Sequence, residues 1–414
     1  MSQAGDQAPV TAGTQSRLRA LNARAVLEVI DRSGPVARAD VARLTGLSKP
    51  TVALALGSLL AAGTVREAGV VSGRKGPAAL LYQLDATLAW GIAIDLGHDR
   101  IRVAVADLSG TVRARRDAAN CQDADRLVAQ TAQLCAEACA EANAGLPDHA
   151  NAGPATGTSA GLSPATRVVV GLPAVVGPDG RTLSYADGLP GGGHGLGPAL
   201  ADALPGPVVL ENDVNLAAVA ERDRGQAAGL DDFVLVSLGV GLGLGIFVGG
   251  RLHRGAGGAA GEAGSLPGAR DEARHAKPPL QRDLVDSAIG ARHIVARARA
   301  LGLNGELSAR DVFQSARAGD PAALTVVDET AAAIAYVIAC VAPLLDPQAV
   351  VLGGAVGSNP DLLLAPVRRH LAALSPFRPQ VRSSALGSEA VLIGATARAV
   401  ALARASAFDA ATPV

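Results

Sequence analysis

Val208-Val209-Leu210-Glu211-Asn212-Asp213-Val214-Asn215-Leu216-Ala217-Ala218 is the stretch on which the reading of this chain turns. An apolar run of strand character ends in two acids and a carboxamide, and the helical stretch Val214–Glu221 follows at once. Asp213 has two readings here, a cap on that helix or a side chain that carries chemistry. Upstream, Ile92-Ala93-Ile94-Asp95-Leu96-Gly97 reads as a buried strand ending in Asp and Gly. Ile101 to Asp107 and a Ser109-Gly110 turn follow it, and Arg167 to Pro173 is a further strand. Downstream lie Val234 to Gly245, with a glycine at every second place from Gly239, then Gly249 to Gly255 and Gly258-Ala259-Ala260-Gly261-Glu262-Ala263-Gly264. Val350 to Val356 is another strand running into glycines.

At 414 residues, 49% of them apolar, the chain is long enough for two or three domains with sizeable cores. The longest apolar runs are short and broken by Gly, Pro or charge, which predicts no membrane span. The polar N-terminus has none of the marks of a secretory signal, and a cytoplasmic protein is expected. Cys121, Cys135, Cys139 and Cys340 form no CxxC pair and read as small reduced thiols. The net charge of −1 is unevenly spread, because residues 1–85 hold ten Lys and Arg against six Asp and Glu. A basic excess of this kind suits a nucleic-acid partner.

Within that basic segment, Leu18, Leu21, Val26, Leu27 and Ile30 recur at helical spacing up to Gly34. A second helix fits Arg38 to Thr45, with Val41, Ala42 and Leu44 facing inward. After Gly46-Leu47, Ser48 is the expected N-cap of a third helix that starts Lys49-Pro50-Thr51 and runs through Val52, Leu54, Leu56, Leu59 and Leu60 to Gly63. Two short helices joined by a tight glycine turn make a helix-turn-helix, whose second helix places its first residues in the major groove. Ser48, Lys49 and Thr51 are the DNA-contacting candidates there. Thr64 to Ala68 and Ala79 to Tyr82 read as strands flanking a basic tip, and this predicts a wing whose Arg74 and Lys75 reach phosphates or a minor groove. The plainer alternative is a helical docking module that touches no DNA.

Taken in this order, the segments resemble the ROK family (repressor, open reading frame, kinase) from about residue 17 to 404. Glu211-Asn212-Asp213-x-Asn215 and Gly258-Ala259-Ala260-Gly261-Glu262 carry the resemblance in combination. It implies an α/β fold: a winged helix-turn-helix followed by a two-lobed, actin- and hexokinase-like (ribonuclease H-like) sugar-kinase body. The expected division is a disordered arm at 1–16, the DNA-binding domain at 17–85, a first lobe at 86–205 and a second lobe at 206–387. A helix at 388–404 is expected to return to the first lobe. The resemblance puts Asp213 at the kinase base position and makes Asn212, Asp213, Glu262 and Asp283 the sugar-binding candidates in the interlobe cleft.

The phosphate side departs from the family's kinases. Their first turn carries Gly-Gly-Thr where this chain has Gly97-His98-Asp99, and their second carries Gly-Thr-Gly where it has Gly239-Val240-Gly241. Two hydroxyls are lost and a carboxylate is gained beside an ATP phosphate, which argues against phosphoryl transfer. The glycines then need only a structural reason, tight turns between strands. The family's zinc-binding His is Ser265 here and its cysteine loop is missing, so no metal and no cofactor is expected. These readings converge on a non-enzymatic, cytoplasmic, sugar-responsive transcriptional regulator, a repressor of carbohydrate uptake or catabolism genes. Its expected partners are operator DNA, a sugar or sugar phosphate effector, and further copies of itself in a homodimer or homotetramer, with no membrane. The alternatives are a sugar kinase that retains a DNA-binding head and a scaffold governed by a protein partner.

Overall fold

The structure, a computed structural model, describes residues 12–71, 78–145, 162–186, 188–239, 241–266 and 289–412. Arg74 and Lys75 of the expected wing tip, Val240, Asp283 and the first eleven residues of the expected arm lie outside these ranges.

The N-terminal unit begins with helix α1 (Ala12–Ser33), so residues 12–16 are helical where an arm was expected. Helices α2 (Arg38–Thr45) and α3 (Lys49–Ala61) follow, and the chain bends by 115° between them. The bend is made at Gly46, whose φ of 71° only glycine adopts at no cost. Ser48 caps α3 as expected, its Oγ accepting from Thr51 N at 3.3 Å. Strands β1 (Val36–Ala37), β2 (Val65–Val71) and β3 (Ala79–Leu84) form one sheet in the order β1-β3-β2, and β2 and β3 are the two antiparallel arms expected for the wing. Leu18, Leu21, Leu44 and Leu54 correct the periodicity: all four are exposed, Leu54 by 76%. The core is built instead on Val26, Leu27, Ile30, Val41, Val52, Leu56 and Leu59.

The body contains two five-stranded sheets with the same topology. In the first, β4 (Trp90–Leu96), β5 (Arg100–Asp107) and β6 (Val112–Ala119) form an antiparallel meander. To it β7 (Arg167–Leu172) and β10 (Val208–Asn212) add in parallel, giving the order β10-β7-β4-β5-β6. A short hairpin of β8 (Val175–Val176) and β9 (Leu183–Ser184) lies between β7 and β10 in the chain. In the second sheet, β11 (Phe233–Leu238), β12 (Leu242–Val248) and β13 (Arg251–Leu252) are the meander. Strands β14 (Ala349–Gly353) and β15 (Gln380–Ser383) are the parallel additions, giving β13-β12-β11-β14-β15. This is the two-lobed architecture that the sequence led us to expect. The expected lobe boundary at 206 moves, because β10 hydrogen-bonds to β7 and completes the first sheet.

Two helices cross between the lobes. After α4 (Ala124–Ala144) and α5 (Leu196–Ala203), helix α6 (Asp213–Arg224) leaves the last strand of the first sheet and packs on β12 and β11 of the second. The C-terminal helix (Ala390–Ala411) follows the last strand of the second sheet and lies on β4, β7 and β5 of the first. It runs beyond the expected end at 404, and its last turns enter the core of the N-terminal unit, where Ala403, Ala407 and Phe408 belong to one buried cluster with Val26, Leu27 and Ile30. Where the two helices touch, a Cβ on Gly394 would lie 1.8 Å from the carbonyl oxygen of Leu216. The expectation of no membrane-length segment is also corrected. Pro321–Leu345 and Gly387–Ala411 are long and apolar enough to cross a membrane, and each is half buried within the fold. A helix enclosed by packing on several sides is apolar on several sides.

Gly394→Ala is expected to lower stability by more than about 2 kcal/mol in urea unfolding, because backbone blocks the added methyl. Gly57→Ala, in α3 with open space around its Cβ position, is expected to raise stability by up to about 1 kcal/mol. Equal effects of the two changes would remove the helix crossing from its structural role.

Candidate functional site

Strand β10 delivers Asn212 and Asp213 to the start of α6, at the carboxyl edge of the first sheet, the usual location of ligand sites in open α/β sheets. Asn212, and not Asp213, is the helix cap: its Oδ1 accepts from Asn215 N at 3.1 Å, while its Nδ2 donates to Ala174 O at 3.2 Å. The capping role weighed for Asp213 therefore belongs to its neighbour. Asp213 accepts only from the adjacent Val214 N, at 2.8 Å, among the hydrogen bonds described for its side chain.

Glu262 comes to Asp213 from the second lobe on a loop that glycine makes possible. A Cβ on Gly258 (φ 85°) would strike Val176 O in β8 at 2.1 Å, and one on Gly261 (φ 100°) would strike Leu244 O at 2.0 Å. The loop is thus clamped between the two lobes, and Leu244 N donates to Gly261 O at 2.8 Å. The glycines of β12 have a similar explanation. Gly243 and Gly245 lie inside the strand, and side chains there would collide with Val214 and Ala218 of α6.

A third carboxylate, missed as a site residue, is Asp95 at the end of β4. It is buried, and Arg102 Nη2 lies 2.6 Å from its Oδ2. Arg102 also donates from Nη1 to Ser388 O at 2.6 Å and to Glu389 Oε1 at 3.3 Å, which ties the first sheet to the segment leading into the C-terminal helix. Burial raises the Asp95 carboxyl to about 6 against the opposing pull of Arg102. Burial likewise raises Asp213, with help from the charges of Asp95 and Glu262, to about 7. A carboxyl group poised there can both donate to and accept from a hydroxyl at neutral pH, a property suited to polyol recognition and also to proton abstraction.

Asp99 is exposed at the tip of the β4–β5 hairpin, where His98 Nε2 lies 3.8 Å from its carboxylate. Ser265 is exposed in the short turn after Glu262, and Asp283 and most of the segment expected to lack the zinc loop lie outside the described residues.

At the N-terminal unit, Lys49 is exposed at the start of α3. The hydroxyls of Ser48 and Thr51 face each other at 2.8 Å, so both serve the cap while lying on the same end of the helix. This unit is joined to the body by pairs that the sequence reading did not foresee. Arg24 Nη1 meets Asp409 at 2.6 Å and stacks over the Phe408 ring at 5.5 Å. Arg404 donates to Leu108 O at 3.1 Å and meets Asp31 at 3.3 Å.

Comparison with known proteins agrees with the two-lobed fold. The ROK family pattern matches residues 91–401. The xylose repressor of Caldicellulosiruptor bescii is 24% identical over 94% of this chain and 97% of its own length. The glucokinase of Halalkalibacterium halodurans is 34% identical over 45% of this chain, which spans only 62% of that protein. A crystal structure described as a ROK family transcriptional regulator, homolog of the E. coli MLC protein, superposes with a TM-score of 0.72. Its identity is 22%, over 96% of this chain and 98% of that one, a likeness of fold.

The raised carboxyls give a signed prediction. Between about pH 4 and pH 7 the folded chain holds protons that the unfolded chain has released, so this contribution to stability falls as pH rises through that window. Asp213→Asn is expected to match the parent near pH 4 and to exceed its stability by about 1–3 kcal/mol at pH 8. Urea unfolding of both proteins at the two pH values checks this, and a difference that does not change with pH would refute it.

Proposed function

The chain belongs to the ROK family, and from that premise we propose that it is a sugar-responsive, DNA-binding transcriptional regulator, a repressor of genes for carbohydrate uptake or catabolism. The observation that carries this reading is the seating of the helix-turn-helix unit on the C-terminal helix. Phe408, Ala407 and Ala403 complete the core of the N-terminal unit, while the same helix lies across the first sheet beside the cleft. A sugar held by Asn212, Asp213 and Glu262 would alter how the lobes close and so where that helix presents the head. Such a switch works only if the two arrangements bind the sugar with different affinity. A relative named as a repressor, aligned over nearly the whole chain, supports the same reading.

In this proposal residues 17–85 read operator DNA, with Lys49, Ser48 and Thr51 at the groove and Arg74 and Lys75 on the wing. The protein acts in the cytoplasm as a homodimer or homotetramer on a palindromic site. Residues 86–212 and 213–387 then form the two lobes, with the boundary set after β10. The absence of enzymatic activity is part of the proposal. Asp95, at the end of the first strand, is engaged by Arg102, and a carboxylate already held by a guanidinium is a poor partner for a nucleotide's hydrated cation. The second reading, a sugar kinase with a head, is favoured by one observation: Asp213 is poised near neutrality beside the cleft, as a general base requires.

Two measurements separate these readings. Purified protein is expected to bind one palindromic site in its genome, and Lys49→Ala with Arg74→Ala should weaken that binding by roughly tenfold or more and flatten its salt dependence. A sugar panel that includes xylose and glucose should contain one compound that shifts operator affinity, and Asp213→Ala should abolish the shift while sparing DNA binding. Failure to find any specific site would sink the regulator reading. Robust ATP-dependent turnover of any hexose or pentose would install the kinase reading instead.

A further inference from the structure

A cavity of about 720 Å3 lies on the outer side of the lobe junction, between α6, the β12–β13 hairpin and the C-terminal helix. Four arginines line it: Arg222, Arg251, Arg254 and Arg398. Two charges in this region are settled locally. Arg222 pairs with Asp231 at 3.3 Å and lies over the Phe247 ring, and Asp223 takes Arg224 at 2.9 Å.

Three guanidiniums then remain for one carboxylate among the described residues, that of Glu211. Arg254 reaches Glu211 Oε2 from Nε at 2.9 Å and from Nη2 at 2.5 Å. Arg398 Nε stops at 3.9 Å from the same oxygen and has no hydrogen-bond acceptor, although the atom is buried. Glu211 has no capacity to spare, since its other oxygen already accepts from Asn215 Nδ2 at 3.1 Å and from Asn212 N at 3.3 Å. Arg251 stands exposed at the rim. The balance is two uncompensated positive charges around a hollow, presented by planar groups whose paired N–H bonds match the spacing of phosphate oxygens. Burial, with the like charge of Arg254, draws the Arg398 guanidinium below its usual range, the response of a cation short of a counter-ion.

We propose that this cavity is a binding site for a phosphate-bearing small molecule, distinct from the sugar cleft. The anion takes its first hydrogen bonds from the cavity-facing N–H groups of Arg398 and the free edge of Arg254, and Arg251 closes over it from the hairpin. The site adjoins the cleft by covalent connection. Glu211 precedes Asn212 in the chain, and Arg254 stands at the root of the loop that carries Glu262, its carbonyl accepting from Ala260 N at 3.0 Å. An anion that draws Arg254 from Glu211 therefore acts on both sides of the cleft. This site does not depend on the DNA-binding proposal.

Isothermal titration of the full chain in chloride buffer at constant ionic strength tests the idea with inorganic phosphate, pyrophosphate and glycerol 3-phosphate, none of which carries a sugar ring. Saturable binding at one site per chain is expected, weakened by roughly tenfold or more in Arg398→Gln and in Arg251→Gln. Arg251 is exposed, so its variant keeps the test valid if Arg398→Gln fails to fold. Tighter binding of the ester than of inorganic phosphate identifies a phosphorylated metabolite as the occupant, and the reverse order identifies free phosphate; either supports the site. No saturable binding of any probe at millimolar concentration overturns the proposal, and so does binding that Arg251→Gln leaves unchanged.

Discussion

The contact between α6 and the C-terminal helix at Gly394 is the constraint on which the rest of the molecule depends. Each helix belongs by sequence to one sheet and packs on the other, so the two lobes are laced together by an exchange of helices. The exchange is possible only because backbone meets backbone at the crossing, with Gly394 against Leu216 O. Gly91 repeats the device where the helix crosses β4, since a Cβ there would meet Val400 N at 2.6 Å. Packing of this closeness transmits displacement well, because interiors at crystal-like density have little slack to absorb it.

The cleft inherits its electrostatics from that crossing. The first turn of α6 places the half-buried Asp213 where the buried Asp95 and the half-buried Glu262 face it. Three acids drawn together would repel one another if all were charged, and two features relieve this. Arg102 is inserted against Asp95, and the Asp213 carboxyl takes up protons near neutrality. The same Arg102 holds Ser388 and Glu389, just before the C-terminal helix begins. Charge balance in the cleft and the anchoring of that helix thus share one guanidinium.

Much of this could be read from the chain because the signals were local. Runs of β-branched residues around Ile92, Val168, Val209 and Val350 announce strands on any backbone, and Ser48 next to Lys49-Pro50 announces a helix start. Asn212, Asp213 and Glu262 stood out as candidates through the family resemblance of the two motifs that carry them. What escaped was decided by distant partners. Leu44 and Leu54 fit an apolar helical face, but which face turns inward is fixed by how α1 and the C-terminal helix pack. No local signal marked the glycines at 243 and 245 as clearance for α6. Asp95 was visible only as the end of a strand, and no local signal couples it to Arg102 or couples Glu211 to Arg254 and Arg398.

The last turns of the C-terminal helix fill the core of a unit that begins at residue 12. During synthesis on the ribosome the N-terminal helices therefore emerge well before their core can be completed, because Ala403, Ala407 and Phe408 follow them only after the whole body has been joined. A nascent chain has its head in hand without the means to close it. A chain cut short by an early stop would leave Val26, Leu27 and Ile30 without that cover, whatever the condition of the lobes. The completeness of the head is thus tied to translation of the whole body that separates it from residues 403–408.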